Sequence, residues 1–306
     1  MSISVVIPAY NASRFIAETL ESVLGQTLPP DEILVIDDGS TDDTAAIAES
    51  FPAPVRVFRR PNSRQGASRN FGVQQATSEW IAFVDADDLW RPNKLERQME
   101  ELNQHPEADV CYTGLLRFTD AQGSRTFGTP LPAYPPEQVR RRLFRGPFFL
   151  PSSVLIRRSR FLAMGGFATT FKITEDWDLW LRLLHAGAGF AACPELLCLY
   201  RIHPGSVSSD KIVVLDECTS IYDQHIRPHL SGAQKWIAPA RFFSPYHVEV
   251  AYALRKKGDP RCLSVMSQSI LQWPFGDVIR YKVWAHMLLT RLGIIPDRNR
   301  PSPQPK

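Results

Sequence analysis

Through its first hundred residues the chain alternates short apolar runs with segments whose apolar positions recur every three or four residues. Residues 3–8 (ISVVIP), 32–38 (EILVIDD), 55–58 (VRVF) and 80–85 (WIAFVD) predict four strands, since β-branched and aromatic residues side by side suit a sheet covered on both faces. Between them Ile16, Leu20, Val23 and Leu24 fall at helical spacing after Asn11 and Ser13, two residues able to cap a helix. Residues 41–51 and 67–76 predict two further helices. The order βαβαβαβ implies a mostly parallel sheet flanked by helices.

Further along, 92–102 predicts a helix with Pro92 in its first turn, and 108–113 (ADVCYT) and 153–156 (SVLI) two more strands. The Pro- and Arg-rich stretch 120–150 between them is long enough to be a functional loop. At 174–187 (TEDWDLWLRLLHAG) Thr174 can cap, acids fill the first turn, Gly187 ends the helix, and Trp177, Trp180, Leu181 and Leu184 make an apolar stripe. Trp177 and Trp180 suit the core or a sugar platform. From about 210 the pattern is helical and irregular, and the tail from about 297 has the composition of a disordered segment.

Ligands of open α/β sheets bind beyond the carboxyl ends of the strands. There the chain places Pro8, Ala9, Tyr10 and Asn11 after the first strand, Asp37 and Asp38 after the second, and Asp85, Ala86, Asp87 and Asp88 after the fourth. Three carboxylates within four positions repel one another where they are partly buried, so a cation belongs beside them. DADDLW lacks the glycine and fifth-position ligand of a calcium loop, no GxxxxGK[ST] occurs, and GAGFAA (187–192) lies between a helix and a strand, the wrong order for a dinucleotide fingerprint.

A 306-residue chain with 44% hydrophobic residues has the composition of a globular protein, and a net charge of +3 does not mark a nucleic-acid binder. The densest basic stretch, Arg140, Arg141, Arg142 and Arg145, suits a solvated helix face or a partner site. Five cysteines without a CxxC pair argue against a zinc site and a disulfide framework, and no apolar run reaches the roughly 18 residues of a membrane span. A cytoplasmic protein is expected. Residues 273–295 mix aromatic and aliphatic residues with Arg280, Lys282 and Arg291, as in a helix lying on the inner face of the cell membrane or one packed on the rest of the protein.

Taken in order, VVIPAYN, SVLGQT (22–27), DDGSTDDT (37–44), GASRNFG (66–72), FVDADD and TEDWDLWLRL resemble the family-2 glycosyltransferases over about residues 2–205. The resemblance implies the GT-A fold: a catalytic domain over 1–210, with a nucleotide-binding half at 1–105 and an acceptor-binding half at 106–210, followed by a helical region at 211–306. It implies a metal-dependent, inverting transfer from a nucleotide-diphosphate sugar, a UDP-sugar first, to a saccharide or lipid-linked saccharide in cell-surface polysaccharide assembly. Asp85-Ala86-Asp87 is similar to the family's DxD element, with Asp87 the direct ligand of Mg2+ or Mn2+, Asp85 nearer the ribose, and Asp88 a support or a cap. Asp38 corresponds to the base-reading aspartate and Asp176 to the catalytic base. At a helix N-terminus Asp176 is expected to keep a low pKa. Tyr10 could stack on the base. Arg69 fits the nucleotide or a local carboxylate, and Gly66 and Gly72 permit close backbone approach. Arg201 is expected at a phosphate and His203 at the metal or a phosphate. Two alternatives use the same edge of the sheet: a noncatalytic nucleotide-sugar-binding protein and a sugar-nucleotide pyrophosphorylase.

Overall fold

The computed structural model describes residues 1–121, 124–203, 210–275, 278–292 and 294. They fall into two compact units, Met1–Ser206 and Val207–Lys306. In the first, strands β1 (Ile3–Ala9), β2 (Glu32–Asp37), β3 (Val55–Arg59) and β4 (Trp80–Phe83) alternate with helices α1 (Ile16–Leu24), α2 (Thr44–Glu49) and α3 (Gln65–Gln75). A two-residue strand β5 (Leu89–Trp90) and helix α4 (Lys94–Gln104) lead into β6 (Ala108–Ala121) and β7 (Ser124–Leu131). Helix α5 (Val139–Leu143), β8 (Val154–Arg157), α6 (Arg158–Ala163), α7 (Glu175–His185) and β9 (Gly189–Arg201) complete the unit.

The sheet runs β3-β2-β1-β4-β8-β6-β9-β5, with β7 paired to β6. The first four strands are mutually parallel, so their carboxyl ends share one edge. β8 enters antiparallel between β4 and β6, and β6 is parallel to β9, which makes the sheet mixed but mostly parallel, as the alternating pattern predicts. β1, β2 and β4 are buried along their whole length, the reason their sequences lack an apolar/polar alternation. Gly72 lets α3 lie close on β1: a Cβ there would sit 2.4 Å from Val6 Cγ1.

Three local features differ from the pattern. Asn11 and Ser13 do not cap α1; its N-cap position falls to Phe15, and both residues instead tie the loop after β1 to the one after β2. The stretch 120–150 is not a plain loop but carries the outer arm of a β6–β7 hairpin and the short α5. Lys94, on a helix whose sequence reads as polar, is fully buried, donating from Nζ to Gln98 Oε1 at 2.7 Å above the Trp90 ring. Gln98 in turn donates to the Cys111 and Ser153 carbonyls.

Burial pulls the Lys94 ammonium down to about 8 from 10.5. Below pH 8 the folded state carries the whole cost of a buried charge; between 8 and 10.5 it has released a proton that the unfolded chain still holds, so stability recovers as the pH rises. The unfolding free energy of Lys94→Met minus that of wild type is therefore expected to fall by roughly 3 kcal/mol between pH 7 and pH 10.5. Urea titrations at the two pH values measure it, and a constant difference would mean that Lys94 titrates as in water.

The second unit holds α8 (Lys211–His225), α9 (Gln234–Lys256), α10 (Cys262–Gln272) and α11 (Ile279–Arg291). Asp210 caps α8, accepting from the Ile212 and Val213 amides. Ala251, Met266 and Met287 form its small core. Buried Arg280 donates to Ser244 Oγ and the Trp273 carbonyl, while Phe275, Val278 and Ile279 stay exposed around the α10–α11 connection, within the segment expected at a membrane surface, and Leu271 is exposed just before it. Among the described residues no helix is long and apolar enough to cross a membrane. The tail from 297 lies outside the described residues.

Candidate active site

The loops after β1 and β2 are built into one piece by short polar side chains. Thr44 Oγ1 accepts from the Ala12 amide at 2.7 Å, Asp42 accepts from the Ser13 amide, and Asn11 Oδ1 accepts from the Thr41 amide at 2.8 Å. Asn11 adopts φ 48°, a conformation that asparagine tolerates better than most residues. Pro8 and Ala9 are buried at the end of β1, opposite Ile36 and Asp37. Tyr10 follows with half of its surface exposed, free of the core and available for stacking.

Asp38 is spent differently. Its Oδ1 accepts from the Ser63 amide and from the Ser63 and Ser68 hydroxyls, and its Oδ2 from the Arg64 amide, all within 2.9 Å. Three donors crowd Oδ1, whereas Oδ2 takes one and keeps an acceptor site unused. Asp38 thus holds the 63–68 segment mainly through Oδ1.

The acidic turn sits between β4 and β5. Thr19 Oγ1 lies 2.9 Å from both the Ala86 and the Asp88 carbonyl oxygens, fixing its shape from α1. Ser152 Oγ accepts from the Asp85 amide and donates to Asp88 Oδ2 at 2.6 Å, while Asp88 Oδ1 accepts from the Arg201 amide. Asp88 is therefore a fully buried brace of the turn and not a cap of α4. Burial, then the charges of Asp87 and Asp85, push its carboxyl well above the usual range. Asp87, raised by burial and by Asp85, meets His203: Nε2 and Oδ2 are 2.8 Å apart across 116 positions of sequence. The pair couples one carboxylate oxygen with one imidazole nitrogen, and both groups are partly exposed. A small divalent cation fits that set, since such ions take one or two protein ligands and fill the rest of their shell from phosphates and water. It would also offset the mutual repulsion of the three aspartates. Among the described residues no three His, Cys, Asp or Glu side chains converge on one point. Of the three expected ligands, Asp85 stands apart, for its Oδ1 is 2.5 Å from Arg69.

Two arginines of the site are turned to protein groups. Of the two partners expected for Arg69, the structure shows the local carboxylate: the arginine is 1% exposed, with Nη2 on Asp85 and Nη1 on Glu175 Oε1 at 2.7 Å. A guanidinium that deep must be neutralised locally, and two carboxylates do so. Arg201, expected at a phosphate, is likewise engaged by protein groups. It is buried between the Phe15 and Phe118 rings, donates from Nε to the Asp87 carbonyl at 2.7 Å, and pairs with Glu18 and with Asp120. It anchors the acidic turn and the residues leading to His203. The rest of the segment continuing to residue 208 lies outside the described residues from 204 on. Gly66 likewise serves packing, for a Cβ there would lie 3.3 Å from Glu175 Cγ.

Asp176 occupies the first turn of α7 beside Glu175, its Oδ1 accepting from the Trp177 amide at 2.7 Å. Burial, then the charge of Glu175, push its carboxyl up to about 8 and outweigh the opposing pull of that amide and of Arg69. The low pKa expected from the helix N-terminus alone is thereby reversed, and the group becomes a stronger base. Trp177 and Trp180 are fully buried and belong to the core. Sequence reasoning missed Glu175, Ser152 and Glu18 as parts of the site; the adjacent acids of TEDW were a signal for Glu175, whereas nothing local marked the other two.

The glycosyl transferase family 2 model matches residues 4–163, more than half of the chain. The putative glycosyltransferase EpsE of Bacillus subtilis is 32% identical over 60% of this chain and 67% of its own length. The putative teichuronic acid biosynthesis glycosyltransferase TuaG of Bacillus subtilis is 29% identical over 76% of this chain and 91% of its own. Among solved structures, S. aureus TarS 1–349 in complex with UDP-GlcNAc superposes with a TM-score of 0.65 at 19% identity, covering 98% of this chain and 90% of that one. The mannosyltransferase PcManGT from Pyrobaculum calidifontis, in complex with GDP-Man and Mn2+, gives 0.58 at 19% identity, over 95% and 80%. These likenesses show that the fold is GT-A. It is the family match over residues 4–163 that removes the pyrophosphorylase alternative, and by it the chain belongs to glycosyltransferase family 2.

Proposed function

We propose that the protein is a metal-dependent inverting glycosyltransferase that moves a sugar from a nucleotide-diphosphate donor, a UDP-sugar first, to an acceptor hydroxyl in cell-surface polysaccharide assembly. The observation that carries the reading is Arg69, which holds the acidic turn at Asp85 and the base-bearing helix at Glu175 to a single guanidinium. Donor and acceptor chemistry are thus anchored side by side. Asp176 takes the acceptor's proton, and the hydroxyl oxygen attacks the anomeric carbon as the bond to the diphosphate breaks on the opposite face. Asp87 and His203 would hold Mg2+ or Mn2+, which when bound neutralises charge growing on the leaving diphosphate. Tyr10 stacks on the base, and Arg201 keeps the turn rigid from behind. The naming of one relative for teichuronic acid biosynthesis and the UDP-GlcNAc bound by a structural neighbour support the polysaccharide setting and the donor class.

A thermal-shift titration of wild type and Asp87→Ala with UDP, dTDP, GDP and CDP, each with and without Mn2+, tests the donor site. At a hundredfold excess over Kd one nucleotide is expected to raise the melting temperature of wild type by about 5 °C, with Mn2+ only, and to leave Asp87→Ala unmoved. A wild type that no nucleotide shifts would remove the central support of the reading. Hydrolysis of the matching nucleotide-sugar would then separate an enzyme from a noncatalytic binder.

A further inference from the structure

Between residues 122 and 174 the sequence carries nine Lys or Arg and a single acid, Glu137, against a net +3 for the whole chain. Much of that surplus is spent inside the fold. Arg125 pairs with Glu18 and Asp120, Arg157 with Glu79 and Asp109, and Arg160 with Asp109, while Arg158 donates to the Val73 carbonyl. Arg140, Arg141, Arg142 and Arg145 are the exception: among the described residues none of the four forms an ion pair. Arg140, Arg141 and Arg145 are exposed, and Arg142 is held over the Tyr134 ring at 3.5 Å. Four guanidiniums within six residues repel one another, a cost that a bound anion relieves.

Their position gives the cluster its meaning. α5 turns Val139 and Leu143 to the core, and the Leu143 carbonyl accepts from Trp177 Nε1 at 2.8 Å, so the arginines are fastened to the helix turn that carries Asp176. The same segment runs on through Phe149, stacked on Tyr112, to Ser152 at the acidic turn. A single stretch of chain therefore carries the arginines and touches both the base helix and the donor carboxylates.

We propose that Arg140, Arg141, Arg142 and Arg145 form the subsite for an anionic acceptor, a saccharide chain bearing phosphate or carboxylate groups. The guanidinium fork matches either oxyanion in paired hydrogen bonds. The inference rests on the assignment of Asp176 as base, and it adds the acceptor's chemical class.

The test is binding of three defined oligomers to the full chain at low salt, followed by calorimetry: an oligomer of glycerol phosphate, an oligogalacturonate and maltohexaose. Wild type is expected to bind at least one of the two anionic oligomers, and not maltohexaose; which of the two binds names the oxyanion. Arg141→Gln/Arg145→Gln is expected to weaken that binding roughly tenfold or more, with the nucleotide thermal shift unchanged. Arg56→Gln/Arg59→Gln removes the same charge from β3 and is expected to leave binding as in wild type. The proposal is overturned if neither anionic oligomer binds better than maltohexaose, if the α5 pair binds as wild type does, or if the β3 pair weakens binding equally. Loss of the nucleotide shift in wild type would instead strike the donor site, a separate readout from the oligomer comparison.

Discussion

Asp176→Asn is expected to lower kcat by about 10²–10⁴-fold while leaving nucleotide affinity close to wild type. The amide keeps the size of the carboxyl and can still accept from the Trp177 amide, but it cannot take a proton from the acceptor hydroxyl. Because only the ionised carboxylate serves as base, wild-type kcat/KM is expected to rise with pH up to about 8, where burial and Glu175 have placed this group, and residual turnover in the variant should lack that limb. Stability runs the other way. Below pH 3.8 both the folded and unfolded forms hold the proton and nothing is lost. As the pH climbs toward 8 the unfolded chain has released its proton and the folded chain has not, so folding weakens, and above 8 the whole cost of the buried charge is present. Asp176→Asn should accordingly melt higher than wild type at pH 8 and nearly with it at pH 4. Such a gain in stability with a loss of turnover is what a group strained for function gives on removal. Equal losses of nucleotide affinity and of turnover would place Asp176 at the donor instead of the acceptor.

The parts of this site that were legible in the sequence are those whose chemistry is local. The strand ends at Pro8–Asn11 and Asp85–Asp88 follow from apolar runs that stop at polar residues, and the first turn of α7 follows from acids placed before an apolar stripe. His203 could be suspected because it stands in the polar stretch that follows a strand, and the fold brings it to Asp87 across 116 positions. What could not be read is partner choice at a distance. Arg69 meets Asp85 sixteen residues on and Glu175 more than a hundred residues on, and Arg201 meets Glu18 from the far end of the unit. Each arginine sits in a motif that resembles a ligand-binding element, yet burial spends its charge on protein carboxylates. Periodicity also hid the second strand of the hairpin, because Ser124–Leu131 alternates no clear apolar face, and it hid Lys94, whose helix reads as polar while its first residue points into the core.

Arg69→Met is the substitution expected to cost most. Its side chain is of similar length and fills the same space, but it leaves Asp85 and Glu175 without their shared cation, and removing one partner of a buried ion pair destabilises by about 3–5 kcal/mol. Glu175 feels it most, since its Oε2 is buried without a hydrogen bond and its Oε1 depends on Arg69. Transfer should be lost as well, because nothing then fixes Asp85 against α7. Arg69→Lys is no substitute, for an ammonium is a point donor where the guanidinium reaches two carboxylates along two different directions. The double variant Arg69→Met/Glu175→Gln separates the two effects. Neutralising Glu175 removes one of the uncompensated charges, so part of the lost stability should return, while transfer stays absent because Asp85 is still unheld. Urea denaturation of wild type, both single variants and the double variant gives the coupling energy, and transfer assays on the same four proteins give its counterpart in turnover. A double variant no more stable than Arg69→Met would show that Glu175 does not depend on the arginine. One that recovered turnover would place the work of Arg69 in the fold alone, and the link between the acidic turn and the base would have to be sought elsewhere.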